Sequence, residues 1–148
     1  MSRGKLTILV GPPAAGKSTW RRQFQGEVIS PDDIRRDVFG VQYDPRKEPA
    51  VWRLAYQRLA RALGAGKAVC FDATNLTRAR RRPLIQMGRR AGAAVEAVVF
   101  LRDLEELLKR DARRPPGKRV GEKVIKTKYV QLEMPTCEEG FDQLTIIR

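Results

Sequence analysis

The stretch GPPAAGKSTW at 11–20 follows directly on an apolar run, LTILV at 6–10. Gly11, Gly16, Lys17 and Ser18 fit the spacing G-x-x-x-x-G-K-[ST]. Few short stretches constrain a fold as tightly. A strand must end, the chain must turn sharply, and a helix must begin so that its first amides converge on one anion. Lys17 then reaches the outer phosphates of a nucleotide, and Ser18 offers a hydroxyl to Mg²⁺. The cradle is assigned to Gly11, Pro13, Ala14, Ala15, Gly16, Lys17, Ser18 and Thr19. Ala14 and Ala15 stand where many such loops carry Gly and Ser. Ala14 is strained if the turn needs a positive φ there. Trp20 is read as helix packing.

Around this element, apolar runs alternate with helical stretches, the pattern of an α/β protein with a parallel sheet sandwiched by helices. Strands are expected at 5–10, 27–30, 68–72, 94–101 and 143–147, and helices at 17–25, 31–38, 50–63, 77–91, 103–110 and 120–133. In 50–63 the residues Trp52, Ala55, Tyr56, Leu59, Ala60 and Leu63 recur at three- and four-residue steps, and Gly64-Ala65-Gly66 stops the helix. The segment 40–49, with two prolines, reads as a loop. RDARRPPGKRVGEK at 110–123 sets two prolines and two glycines among arginines, and reads as a mobile loop rather than packed structure. The whole chain, 1–148, is taken as one domain with a lid at about 111–121.

Composition narrows the chemistry. The chain has no histidine, and its two cysteines, Cys70 and Cys137, stand far apart. Zinc sites built from Cys and His, and nucleophiles activated by His, are thereby removed. A general base must be a carboxylate, a lysine or something less usual. Both cysteines read as small apolar side chains in a reducing compartment. The first apolar run is too short for a signal peptide or a membrane span, so a cytoplasmic protein is expected. The net charge of +13 favours polyanionic partners, although biased codon usage or a hot habitat would also produce it.

A loop of this kind serves GTPases, motor ATPases and small kinases. No N-K-x-D-like motif is present, the third strand is followed by Asp72-Ala73-Thr74-Asn75 rather than D-x-x-G, and motor ATPases are longer. A compact kinase remains, with an arginine-rich loop that closes over ATP. SPDDIRR at 30–36 follows the second strand, where α/β sheets place ligands. Ser30 as N-cap, Pro31 at the first helical position and Asp33 as reciprocal carboxylate make a near capping box. That leaves Asp32 unassigned. Asp32 and Arg35 share a helix face, where one can accept the proton of an attacking hydroxyl and the other can hold an anionic acceptor. A simple acid at a helix start is the competing reading of Asp32.

Four stretches in order, GPPAAGKSTW, SPDDIRRDVFG, FDATNLTRARR and LLKRDARRPPGKRV, together with MPTCEEGFDQL near the C-terminus, resemble the phage-type polynucleotide 5′-kinases and the kinase domains of nucleic-acid repair enzymes. The D-D-x-x-R and D-x-T-N elements are the specific part. The resemblance implies that Asp32 is the general base, that Arg35 contacts the phosphate beside the acceptor nucleoside, and that Thr74 shapes the acceptor pocket. Arg110 and Arg114 would be lid residues gripping ATP, with Lys17, Asp32 and Arg114 catalytic. Pro31 stands where a basic residue is common. Asp72 suits either an acid holding water around Mg²⁺ or a structural acid bonded to the phosphate loop. Arg78, Arg80, Arg81 and Arg82 open a helix whose dipole opposes them, which fits a nucleic-acid track or a compositional bias.

The expected function is transfer of the ATP γ-phosphoryl to the 5′-hydroxyl end of DNA or RNA, with ATP and Mg²⁺ and no membrane partner. A kinase for a small-molecule hydroxyl (nucleoside, sugar, antibiotic or nucleotide-sugar) is the main alternative. A non-enzymatic nucleic-acid binder that holds ATP, and one module of a repair system, complete the set.

Overall fold

The computed structural model describes residues 3–148. Five strands, β1 (Lys5–Val10), β2 (Glu27–Ile29), β3 (Ala68–Phe71), β4 (Ala94–Phe100) and β5 (Gln143–Ile147), form one parallel sheet in the order β2-β3-β1-β4-β5. The helices are α1 (Lys17–Arg21), α2 (Pro31–Asp37), α3 (Glu48–Gly64), α4 (Arg78–Arg90), α5 (Leu104–Ala112) and α6 (Glu122–Gln131), with short 3₁₀ turns at Pro116–Lys118 and Cys137–Glu139.

β1 is central because residues Leu6 to Val10 are all buried. Its alternate side chains serve two cores. Leu6, Ile8 and Val10 pack with α3 and α4 through Val51, Ala55, Leu59 and Leu84. Leu9 faces the other side with Ala14, Ala15, Leu107 and Ile125, so α5 and α6 close over the glycine loop itself. The connections leaving the neighbouring strands β1 and β3 run to opposite faces. The crevice they open lies at the carboxyl ends of both strands, where ligands bind in sheets of this kind. Backbone bonds fix that mouth: Gly11 N–H donates to Thr74 O at 3.0 Å and Asp72 N–H to Ile29 O at 2.8 Å. Asn75, itself in the left-handed region at φ 46°, donates its side-chain amide to Leu9 O at 2.8 Å.

The strands agree with expectation to within one residue. Four helical expectations do not, α3 among them, which begins two residues early at Glu48. The helix expected over 17–25 ends at Arg21 and continues as turns. Gly26 then passes close to β3, where a Cβ would lie 2.4 Å from Ala68 O. The segment 110–123 is more structured than a mobile loop. Arg110, Asp111 and Ala112 complete α5, Glu122 opens α6, and the 3₁₀ turn lies between. The cause is Asp111, a buried carboxylate that accepts the N–H groups of Val120 and Gly121, both at 3.0 Å. α6 is correspondingly shorter than 120–133. At α2 only half the capping box forms: Ser30 Oγ accepts Asp33 N–H at 3.2 Å, but the Asp33 carboxylate turns away to Arg21 and Arg36. Cys70 is buried, and burial pushes its thiol up to about 12. Cys137 is exposed, so packing does not account for it.

Candidate active site

Backbone conformation builds the loop at 11–16. Gly11 is closely packed: a Cβ there would lie 3.1 Å from Phe100 Cβ, so the neighbour would have to shift. Gly16 takes φ 109°, and Ala14 does adopt φ 68°, the strained conformation considered above. An L-residue pays roughly 1–2 kcal/mol for that region. Two arginines hold the loop from above: Arg110 Nε donates to Ala14 O at 3.1 Å, and Arg102 Nε to Ala15 O at 3.2 Å. Arg110 was expected as a lid residue gripping ATP, and here its guanidinium bonds the loop backbone instead. Arg102 was not, and a lone arginine after a strand offers no signal.

Lys17 Nζ folds back onto Gly11 O. Burial lowers its pKa to about 8, against the opposing pull of Asp72 and then Asp32; Arg114 and Lys128 add to the lowering. Lys17 therefore feels the charges of Asp72, Asp32, Arg114 and Lys128. Lys128 was not singled out in the sequence. It lies one turn beyond Ile125, on the face of α6 that covers Ala14 and Ala15, and it is half-buried where its neighbours are exposed. Arg114 Nη1 lies 3.5 Å from Asp111 Oδ1 and from Lys118 O. Ser18 and Thr19 are exposed at the start of α1, and Pro13 is half-buried.

On the opposite wall, Asp32 is 86% exposed and receives Arg35 Nη1 at 2.5 Å. Arg35 in turn binds both oxygens of Glu48, with Nε at 2.8 Å and Nη2 at 2.6 Å. Glu48, at the start of α3, sits in what the sequence offered as a polar loop. Its carboxyl lies below the usual range because of the bonds from Arg35. A guanidinium held from behind by Glu48 is a fixed, half-buried cation beside an open carboxylate.

Arg21 joins the two walls. Its Nη2 meets Asp33 Oδ2 at 2.8 Å and its Nη1 meets Asp72 Oδ2 at 2.9 Å. Asp72, raised by burial, is thus bonded to the helix after the glycine loop rather than to the loop. Thr74 is half-buried at the mouth and contributes its carbonyl to Gly11. The expected arginine track loses a member. Arg81 is fully buried, bidentate to Glu139 at 2.8 and 3.1 Å, and donates to Asn75 O and Leu76 O. Arg78, Arg80 and Arg82 remain exposed.

Among the described residues no three His, Cys, Asp or Glu side chains converge as a metal cage. A divalent cation at this mouth would lean on the Ser18 hydroxyl and on oxygens of the nucleotide, which is how Mg²⁺ is held by loops of this spacing.

The AAA domain family matches residues 6–135. A chain of the Pnkp1/Rnl/Hen1 RNA repair complex is 26% identical and superposes with a TM-score of 0.78, over 89% of this chain and 45% of its own. The present chain therefore spans less than half the length of that relative. Kti12 of Chaetomium thermophilum, solved with ADP-AlF3, is 19% identical with a TM-score of 0.72, covering 96% of this chain and 88% of its own. The APS kinase CysC of Mycobacterium tuberculosis is 16% identical with a TM-score of 0.66, covering 99% and 90%. These last two likenesses are of fold.

Proposed function

The chain belongs to the AAA domain family and has the fold of P-loop kinases, and from that premise we propose that it transfers the γ-phosphoryl of ATP to the 5′-hydroxyl end of a polynucleotide. The observation that supports this best is Asp32, an open carboxylate that Arg35 holds and whose charge is felt at Lys17. The acceptor oxygen bonds to the γ-phosphorus as the bond to the β-phosphate oxygen breaks. The hydroxyl proton passes to Asp32, and ADP leaves. In this reading Lys17, Arg110 and Arg114, which lie at or next to the loop, would offset the charge that develops on the transferred group. Arg35 is placed to take the phosphate beside the acceptor nucleoside, with Thr74 at the pocket wall. Mg²⁺, when bound through Ser18, supplies charge neutralisation on the phosphates.

Two facts favour a polynucleotide over a sugar: the +13 charge and the likeness to a chain of an RNA repair complex. The test is labelled ATP with Mg²⁺ and 5′-hydroxyl oligonucleotides, run beside nucleosides and sugars. The oligonucleotide should be labelled. Asp32→Asn should lower its turnover by about 10²–10⁴-fold, the usual range for losing a general base, while ATP binding persists. Label on a nucleoside or sugar alone would establish the small-molecule reading instead.

A further inference from the structure

We infer that Arg80, set over Trp52, is the stacking surface for the nucleobase that adjoins the acceptor hydroxyl. The inference rests on the polynucleotide reading above and adds how the site distinguishes a nucleic-acid end from other alcohols.

Trp52 lies one helical turn beyond Glu48, on the same face of α3. Its inner side is pinned by Phe71, the last residue of β3, with centroids 6.2 Å apart, and by Tyr56 at 6.0 Å. The indole therefore stands at the carboxyl end of the sheet, beside the crevice. The Arg80 guanidinium carbon sits 5.1 Å from the ring centroid. Glu48 connects this pair to the acceptor wall: Arg35 holds its carboxyl low first, and the Trp52 indole and the Arg80 charge add to that effect. Arg35, Trp52 and Arg80 thus act on one carboxylate, and Arg35 also reaches Asp32.

Stability gives no net reason for this placement. An exposed cation on an aromatic ring is worth about 0.5–1 kcal/mol. A cation in the first turn of a helix costs about 0.3–1 kcal/mol, and the first turn of α4 contains no acid to offset it. Arg80 forms no ion pair among the described residues, and its side chain is exposed. Its backbone N–H is fixed by the Thr77 cap at 3.2 Å. The guanidinium carbon lies over the indole, and the side chain is exposed to solvent. Unpaired bases stack on such guanidinium planes. A sugar or an inorganic acceptor has no π-face to offer.

The experiment compares 5′-hydroxyl oligonucleotides of one sequence whose terminal nucleotide carries a purine, a pyrimidine or no base. The unmodified protein should phosphorylate the abasic end with a kcat/KM lower by about tenfold or more, chiefly through KM, in keeping with the strength of single-base stacking. Arg80→Ala should weaken the two base-bearing substrates to the level of the abasic one and leave the abasic one unchanged. Arg80→Lys keeps the charge and loses the plane, and should behave like Arg80→Ala. Equal turnover of base-bearing and abasic ends by the unmodified protein would overturn the inference. So would an Arg80→Ala that weakens all three substrates equally, or an Arg80→Lys that restores the preference. Absence of any labelled oligonucleotide would overturn the polynucleotide reading and this inference together, whereas labelling without terminal-base preference would overturn this inference alone.

Discussion

At the scale of single residues, Lys17 is the group whose state should change most when nucleotide arrives. Burial holds its pKa near 8 in the free protein, although Asp72 and Asp32 oppose that shift. Phosphate oxygens at the loop favour the charged form and should raise it again. Between about pH 8 and the bound-state value, ATP binding must therefore take up protons, and affinity should fall as pH rises past about 8. Calorimetry in buffers of different ionisation enthalpy measures that uptake; binding with no proton linkage between pH 8 and 9 would contradict it. Stability should move the other way. The unfolded lysine keeps its proton up to about 10.5 and the native one only to about 8. The unfolded state holds more protons in that window, so folding strengthens as pH rises through it. Lys17, Asp32 and Arg35 were legible in the sequence because their motifs encode a local turn and a helix face. Arg102, Glu48 and Lys128 were not, because each reaches the site from an element distant in the chain.

At the scale of elements, the joint between α4 and the turn Cys137–Glu139 depends on one buried ion pair. Arg81 is fully buried and Glu139 has 8% of its side chain exposed, so the carboxylate leaves water chiefly to meet that guanidinium. Its carboxyl is pushed up by burial and brought down further by Arg81 and by the Thr136 N–H. Glu139→Gln would leave the Arg81 charge without its counter-ion and should cost about 3–5 kcal/mol, read as a lower urea midpoint with an unchanged slope. In the unmodified protein this contribution is present above the ordinary glutamate range and is lost as pH falls through the depressed native pKa. Sequence reasoning placed Arg81 on a surface track because four basic residues in five positions look like a solvated face. Helical phase decides otherwise, with Arg81 sharing the inward side with Leu84, Ile85 and Gly88. Element boundaries failed in the same way at Asp111, which reads as one charge among arginines until its carboxylate is seen holding two amides.

At the scale of the whole molecule, the α/β class and parallel sheet were legible from alternation alone, because runs buried on both faces and amphipathic helices have different periods. Strand order was not, since β2 lies at an edge and is separated from β1 by β3. No described helix is long and apolar enough to cross a membrane. The +13 charge makes a further expectation. Oligonucleotide binding should weaken linearly on a plot of log K against log salt, with a slope set by the number of phosphates neutralised. Arg78→Ala with Arg82→Ala should make the slope shallower. Turnover of an uncharged nucleoside, if any is found, should respond to salt far less. Equal slopes for the double variant and the unmodified protein would remove those two arginines from the strand's path.

Arg21 gives the molecule a property that none of its reacting groups has alone. One guanidinium clamps the shoulder of the acceptor helix and the tip of the third strand to the helix that starts at the phosphate cradle. On the proposed reading, the gap a phosphoryl group must cross would thus be set when the chain folds, before either substrate arrives. Loosening that clamp would cost accuracy of delivery before it cost affinity, and water would be the first competitor to benefit.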